Sequence, residues 1–212
     1  SLSAGSASGT LTFGRSVAGS ADINVGAALN GNITVEKDVG LIYSGTSAAP
    51  AAGTNPNTII INDGARLETK ETAKTNGTLK VSGNADLAGQ HTGDVENTDT
   101  GNVTLTGSVT VPGTVTGNVS NAGVFTVTKN AKIDGSVTNT GKVNQWFELD
   151  GGTITGTLDN SGYTYITAKG GTINGNLQNR QDGTIFLGQD DTNVLDVKGR
   201  LTSSGTIERD NT

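Results

Sequence analysis

The residues that could carry chemistry in this chain are few and far apart. His91 is the only histidine, and there is no cysteine. His91 opens the segment HTGDV at a position where sibling segments carry Val or Ile, and no Ser, Cys or second His stands at a spacing that would make it a general base. An imidazole near a strand end, tucked partly inside or turned out, is the plainer reading. Hydrolysis of a polysaccharide wants two carboxylates facing each other across a groove. Elimination wants a Lys or Arg base beside an acidic cluster that holds Ca²⁺. The carboxylates here are dispersed: Asp134, Asp150, Asp159 and Asp182. One tight group, Asp190 and Asp191 with Asp196 and the amide of Asn193, falls in a turn. A weak Ca²⁺ site is one reading of it, and a solvated acidic turn is the favoured one, because the spacing is not that of an EF-hand loop. No catalytic residue, cofactor or metal is therefore expected.

The aromatic residues are more telling. They make up 4% of the chain, yet Trp146, Phe147, Tyr163, Tyr165 and Phe186 fall within one short stretch. Trp146, Tyr163, Tyr165 and Phe186 are candidates for a ligand patch, since exposed rings supply flat contact area. A stack that merely steadies neighbouring strands is the alternative.

What positions these residues is a repeat. The copies read VTGNVSNAG from Val115, IDGSVTNTG from Ile133, ITGTLDNSG from Ile154, INGNLQNRQDG from Ile173 and VKGRLTSSG from Val197. Their central glycines, Gly117, Gly135, Gly156, Gly175 and Gly199, are separated by 18, 21, 19 and 24 residues. A period near 20 without helical segments belongs to a solenoid that makes one turn per repeat, each strand pairing in parallel with its equivalent one turn on. The expected fold is all-β: a right-handed, single-stranded parallel β-helix of roughly 9 or 10 coils, about 45 Å long at ~4.8 Å per coil. Each central glycine leaves room for the backbone to bend between inward apolar residues such as Ile154 and Leu158.

Two further ladders follow from the alignment. Asn97, Asn121, Asn139, Asn160 and Asn179 fall in register, with Ser203 replacing Asn in the last copy. Stacked asparagines can bond from coil to coil and satisfy backbone groups where strands end. After each of them a glycine (Gly101, Gly123, Gly141, Gly162, Gly183, Gly205) starts the next strand. Counting from these places Phe125, Val127, Val143, Thr164, Ile166, Ile185 and Leu187 inward, along with Phe147. The outward row is then Thr126, Asn144, Tyr165 and Phe186, with Trp146 diagonally adjacent and Tyr163 on the same face.

Residues 1–212 read as one continuous β-helix. Residues 1–28, rich in Gly, Ser and Ala, form early coils or an N-terminal cap. The first clear unit is Leu29 to Ile33, followed by candidate core residues Val35, Val39 and Leu41. Residues 44–58 hold two of the three prolines and read as a protruding loop. In TIIIND one isoleucine breaks parity. The charged stretch ARLETKETAKTN lacks the apolar face of a helix, so strand and turn are expected there. Charged residues are 16% and the net charge is -6, which gives no footprint for nucleic acid. No segment has the apolar length of a membrane helix. The opening SLSAGSASGTLTFG lacks the charged and apolar regions of a signal peptide.

Units such as GSVTNTGKV, GTLDNSGYTYI and GNLQNRQDGTIFL resemble the passenger domains of Gram-negative autotransporter adhesins, especially the self-associating type. More loosely they resemble filamentous-haemagglutinin-like exoproteins. The resemblance is clearest over residues 93–208. It implies a right-handed β-helix displayed on the bacterial surface as a passenger fragment, tied to the outer membrane only through a translocator domain. It also implies a non-enzymatic role in adhesion, autoaggregation, biofilm formation or virulence. Partners would be a second copy on a neighbouring cell, a host glycan or a matrix protein, and not nucleic acid. Residues such as Asp134, Asp159, Lys142 and Lys169 are candidates for lateral self-association. A polysaccharide-binding or polysaccharide-cleaving β-helix, and a structural stalk for a distal domain, are the alternatives.

Overall fold

Alternating residues of a β-strand point to opposite sides, so a chain whose apolar residues recur two apart must bury one side of every strand. This chain does so by coiling. A computed structural model describes residues 2–3, 10–47, 57–188 and 194–209, with side chains from Thr10 onward. It is a parallel β-solenoid with coils of about 21 residues. Two faces are 10-stranded sheets and the third is 7-stranded, with a further two-stranded pair near the N-terminus. One coil runs Thr78–Val81 on the first face, Asn84–Leu87 on the second and Gln90–Thr92 on the third. The next coil begins with Val95–Asn97, where Leu79 pairs with Val95 and Val81 with Asn97.

The interior consists of columns that run along the rod. On the first face Leu79, Val95, Val119, Val137, Leu158 and Leu177 stack in register. On the third face the column is Thr75, His91, Val115, Ile133, Ile154 and Ile173. On the second, Phe125 lies over Phe147 with ring centroids 5.8 Å apart. Val35, Val39 and Leu41 are buried, as are Ile59 and Ile61, while Ile60 between them is the outward member. The charged stretch forms the strands Arg66–Thr69 and Lys74–Asn76.

The corner between the third and first faces explains the repeat's central glycine. Gly156 N donates to Gly135 O at 2.9 Å, and Gly175 N to Gly156 O at 3.2 Å. A Cβ at Gly135 would lie 2.1 Å from Gly117 O, and one at Gly175 would lie 2.4 Å from Gly156 O. Contacts that close to backbone leave no room for a side chain. The glycine is thus required by the coil beneath it as well as by the bend.

One expectation is overturned, that for Val143, and the structure adds detail at three others. Thr10–Phe13 and Ala21–Val25 pair in register with Asn32–Val35 and Val39–Tyr43, so much of residues 1–28 continues the parallel ladder; residues 4–9 lie outside the described residues. Of the loop at 44–58, residues 48–56 lie outside them too, while Thr46 bridges to Lys74. Val143 is not inward: it is 63% exposed. Residues 142–145 form an inserted turn, closed by Gln145 N donating to Lys142 O at 2.8 Å, and the strand begins only at Trp146–Asp150. Leu187, at the far end of its strand, is only partly buried.

Candidate functional site

The corner after the first face carries the asparagine column. Asn97, Asn121, Asn139, Asn160 and Asn179 are all buried. Each Nδ2 donates to the next Oδ1, at 2.7 Å from Asn97 to Asn121, 2.9 Å to Asn139, 2.8 Å to Asn160 and 2.8 Å to Asn179. The last donates to Ser203 Oγ at 3.1 Å. The same amides reach backbone carbonyls at the corner, Asn139 to Tyr163 O at 2.7 Å and Asn179 to Thr206 O at 2.9 Å. At the other end Val81 takes the place of an asparagine, and Asn97 Oδ1 is left buried with no hydrogen-bond donor. These side chains are consumed by the fold and face no ligand.

His91 lies inside the third-face column and is 2% exposed. Its Nδ1 meets Thr75 Oγ1 at 2.9 Å, and its Nε2 has no partner at bonding distance. Burial pushes the imidazole down to about 4, against weaker opposing pulls from the Asp94 and Gly77 backbone and the Asp94 charge. It is a neutral core residue at neutral pH.

The four residues considered for self-association do not share a face. Asp134 ends a third-face strand, Asp159 is on the first face, Lys142 is in the inserted turn, and Lys169 is between the second and third faces. Three of them are engaged within the chain. Asp134 accepts from Thr155 Oγ1 at 2.9 Å and pairs with Lys132 at 3.3 Å, and these contacts hold its carboxyl below the usual range. Arg180 grips Asp159 through two nitrogens at 2.7 and 2.6 Å, with the same effect. Burial raises Asp150, but hydrogen bonds from Lys169 at 2.6 Å and Thr167 at 2.6 Å overcome it and leave that carboxyl low. Asp190 and Asp191 lie outside the described residues, and Asp196 pairs with Lys198.

The aromatic residues do come together. Trp146 pairs with Tyr163 in adjacent strands, Glu148 with Tyr165, and Tyr165 with Phe186. The insertion moves the outward row by four residues, so Glu148, not Asn144, continues the row from Thr126 to Tyr165. Tyr163 and Phe186 lie diagonally, with ring centroids 5.9 Å apart and planes 14° apart. Trp146 Nε1 donates to Glu148 Oε2 at 3.2 Å, which fixes the indole. The inserted turn walls one side: Asn144 takes a left-handed φ of 70°, and Gln145 Nε2 reaches back to Asp99 O at 2.6 Å. Val143, Asn144, Trp146, Glu148, Tyr163, Thr164, Tyr165 and Phe186 line an open groove of about 460 Å³. Its lining holds one carboxylate and no cation. A larger hollow of about 750 Å³ is lined by Leu201, Ile207 and Arg209. It is the solenoid's interior seen end-on at the last described coil, and not a site on a face.

Among the described residues no group of three or more His, Cys, Asp or Glu side chains is placed to hold a metal ion. Compared with protein-family models, curated proteins and solved structures, the chain matches none.

Proposed function

We propose that this β-solenoid is a non-enzymatic attachment protein, an adhesin segment displayed on a bacterial surface, and that it makes contact through the aromatic groove of its second face. Parallel β-solenoids are a fold common among adhesins and structural stalks, and a rod of stacked coils presents a long side to its surroundings. The observation that carries the reading is the gathering of Trp146, Tyr163, Tyr165 and Phe186 in one groove of a chain that is only 4% aromatic overall. Half-buried rings on a rigid sheet give contact area with little entropy to lose. The same groove has a single carboxylate, which favours binding over the two-carboxylate chemistry of hydrolysis.

The test is attachment of beads coated with the protein to cultured epithelial cells, compared with beads carrying Trp146→Ala together with Tyr165→Ala. Both substitutions are on the outer side of the sheet, so far-UV circular dichroism should be unchanged. Attachment should fall several-fold in the variant. Equal attachment of the two proteins would reject the groove as the contact.

A further inference from the structure

The geometry points to a neutral oligosaccharide, two or three sugar rings long, as the ligand of the aromatic groove. This assignment rests on the attachment reading and adds to it the chemical class of the ligand. Size comes first. The rings occupy three strands, which at ~4.8 Å spacing and about four residues of ~3.3 Å cover roughly 190 Å². A stable protein–protein contact needs about 800 Å² per partner. Beyond the groove the same outward row continues as Thr126 and Thr104 on one side and Glu208 on the other, with no further rings to enlarge an apolar footprint. A folded protein partner would find too little here. A groove of about 460 Å³ lies within the ordinary range of ~300–1,000 Å³ for small-molecule sites.

The chemistry of the lining narrows the class. A pyranose has C–H-rich faces that pack on aromatic rings and a rim of hydroxyls that need acceptors and donors. The groove supplies both: rings from Trp146, Tyr163, Tyr165 and Phe186, a carboxylate from Glu148 and a carboxamide from Asn144. Tyr163 and Phe186 are near-parallel at 14°, which makes a platform rather than a box of crossed rings of the kind that encloses a quaternary ammonium. Glu148 is the only charged side chain of the lining. It accepts hydroxyls well and repels uronic or sialic acids. The nearest charge of the opposite sign in the sequence, Lys142, is in the adjoining turn and not in the lining.

Trp146 is the only tryptophan, so its fluorescence reports on the groove alone. The intact chain would be titrated with cellotriose, maltotriose, triacetylchitotriose and trigalacturonic acid, and screened on a printed array of neutral and acidic oligosaccharides. At least one neutral sugar should shift Trp146 emission saturably. Tyr165→Ala should weaken that sugar at least tenfold. Trigalacturonic acid should bind at least tenfold more weakly, and Glu148→Gln should narrow that gap. The assignment is overturned if no neutral oligosaccharide binds more strongly to the native chain than to Tyr165→Ala, or if acidic sugars bind best. Bead attachment to periodate-oxidised cells separates the two readings. Groove-dependent attachment that survives oxidation keeps the attachment reading and removes the saccharide; attachment lost on oxidation supports it.

Discussion

His91 offers the most direct quantitative test of the packing. The residue is buried in a column of Val and Ile, with one ring nitrogen bonded to Thr75 and the other without a partner. Its folded value is about 4, below the ordinary 6.5. Between those values the unfolded chain takes up a proton that the folded chain refuses. Stability is therefore full above about pH 6.5, falls as the pH drops towards 4, and levels off below that. The gap of roughly 2.5 units corresponds to about 3 kcal/mol in all, of which about 2 kcal/mol is lost by pH 5. Removing the imidazole removes the effect. His91→Val matches Val115 one coil on and costs about 1 kcal/mol at pH 7, through the lost bond to Thr75 and a smaller side chain.

The assay is urea unfolding followed by circular dichroism at pH 7 and pH 5, for the native chain and for His91→Val. The window lies above the range in which the low-lying carboxylates Asp134, Asp150 and Asp159 titrate, so their contribution is common to both proteins. The native chain should lose about 2 kcal/mol more than the variant, making His91→Val the more stable protein at pH 5. Equal losses would mean that the imidazole reaches solvent or a partner in the folded state, and the argument from burial would fall.

Further substitutions probe the corners and a surface ion pair. Asn139→Ala, in the middle of the asparagine column, takes one hydrogen-bond partner each from Asn121 Nδ2, Asn160 Oδ1 and the carbonyl of Tyr163; a loss of about 3 kcal/mol is expected. Asn97→Val should cost clearly less in the same urea titration, because it also removes a buried oxygen that has no donor. Gly135→Ala puts a methyl 2.1 Å from a backbone oxygen and should cost more than about 3 kcal/mol. Gly14→Ala, whose Cβ would meet only Glu36 side-chain carbon at 3.5 Å, is the matched control and should change the thermal midpoint little. Asp159→Asn breaks the exposed pair with Arg180; a change below about 1 kcal/mol, shrinking further in high salt, is expected from calorimetry.

The period, the inward columns and the register of the asparagines could be read from the sequence because each is a local pattern repeated at nearly constant spacing. Parity failed at one place for a physical reason. Residues 142–145 add four positions between Gly141 and the strand that begins at Trp146. Four is even, so Val143 and Phe147 keep the same parity, and alternation alone cannot tell that the first is in a turn and the second in the core. Phe147 is buried while Val143 is exposed. The row therefore runs through Glu148 instead of Asn144, and alternation alone gives no sign of the groove's carboxylate. Charge pairing was illegible for a different reason. Asp159 and Arg180 lie 21 residues apart, and only the coil length brings them together, so charges that looked available for a partner were already engaged.

The groove lies where the repeat is interrupted, and the two facts are connected. A strict solenoid offers the same short outward residues coil after coil, and a smooth face of that kind gives a ligand no wall. The turn at residues 142–145 supplies the wall without disturbing the core, because Phe125 and Phe147 still stack beneath it and Gln145 ties it back to Asp99. On the far side of Phe147 the inward column narrows to Thr164, whose hydroxyl bonds to Asn160 Oδ1 at 3.0 Å. The asparagine column thus anchors the strand that carries both Tyr163 and Tyr165. The rings are held by a backbone fixed at its corner, and a groove with little left to order on binding is what the proposed attachment would require.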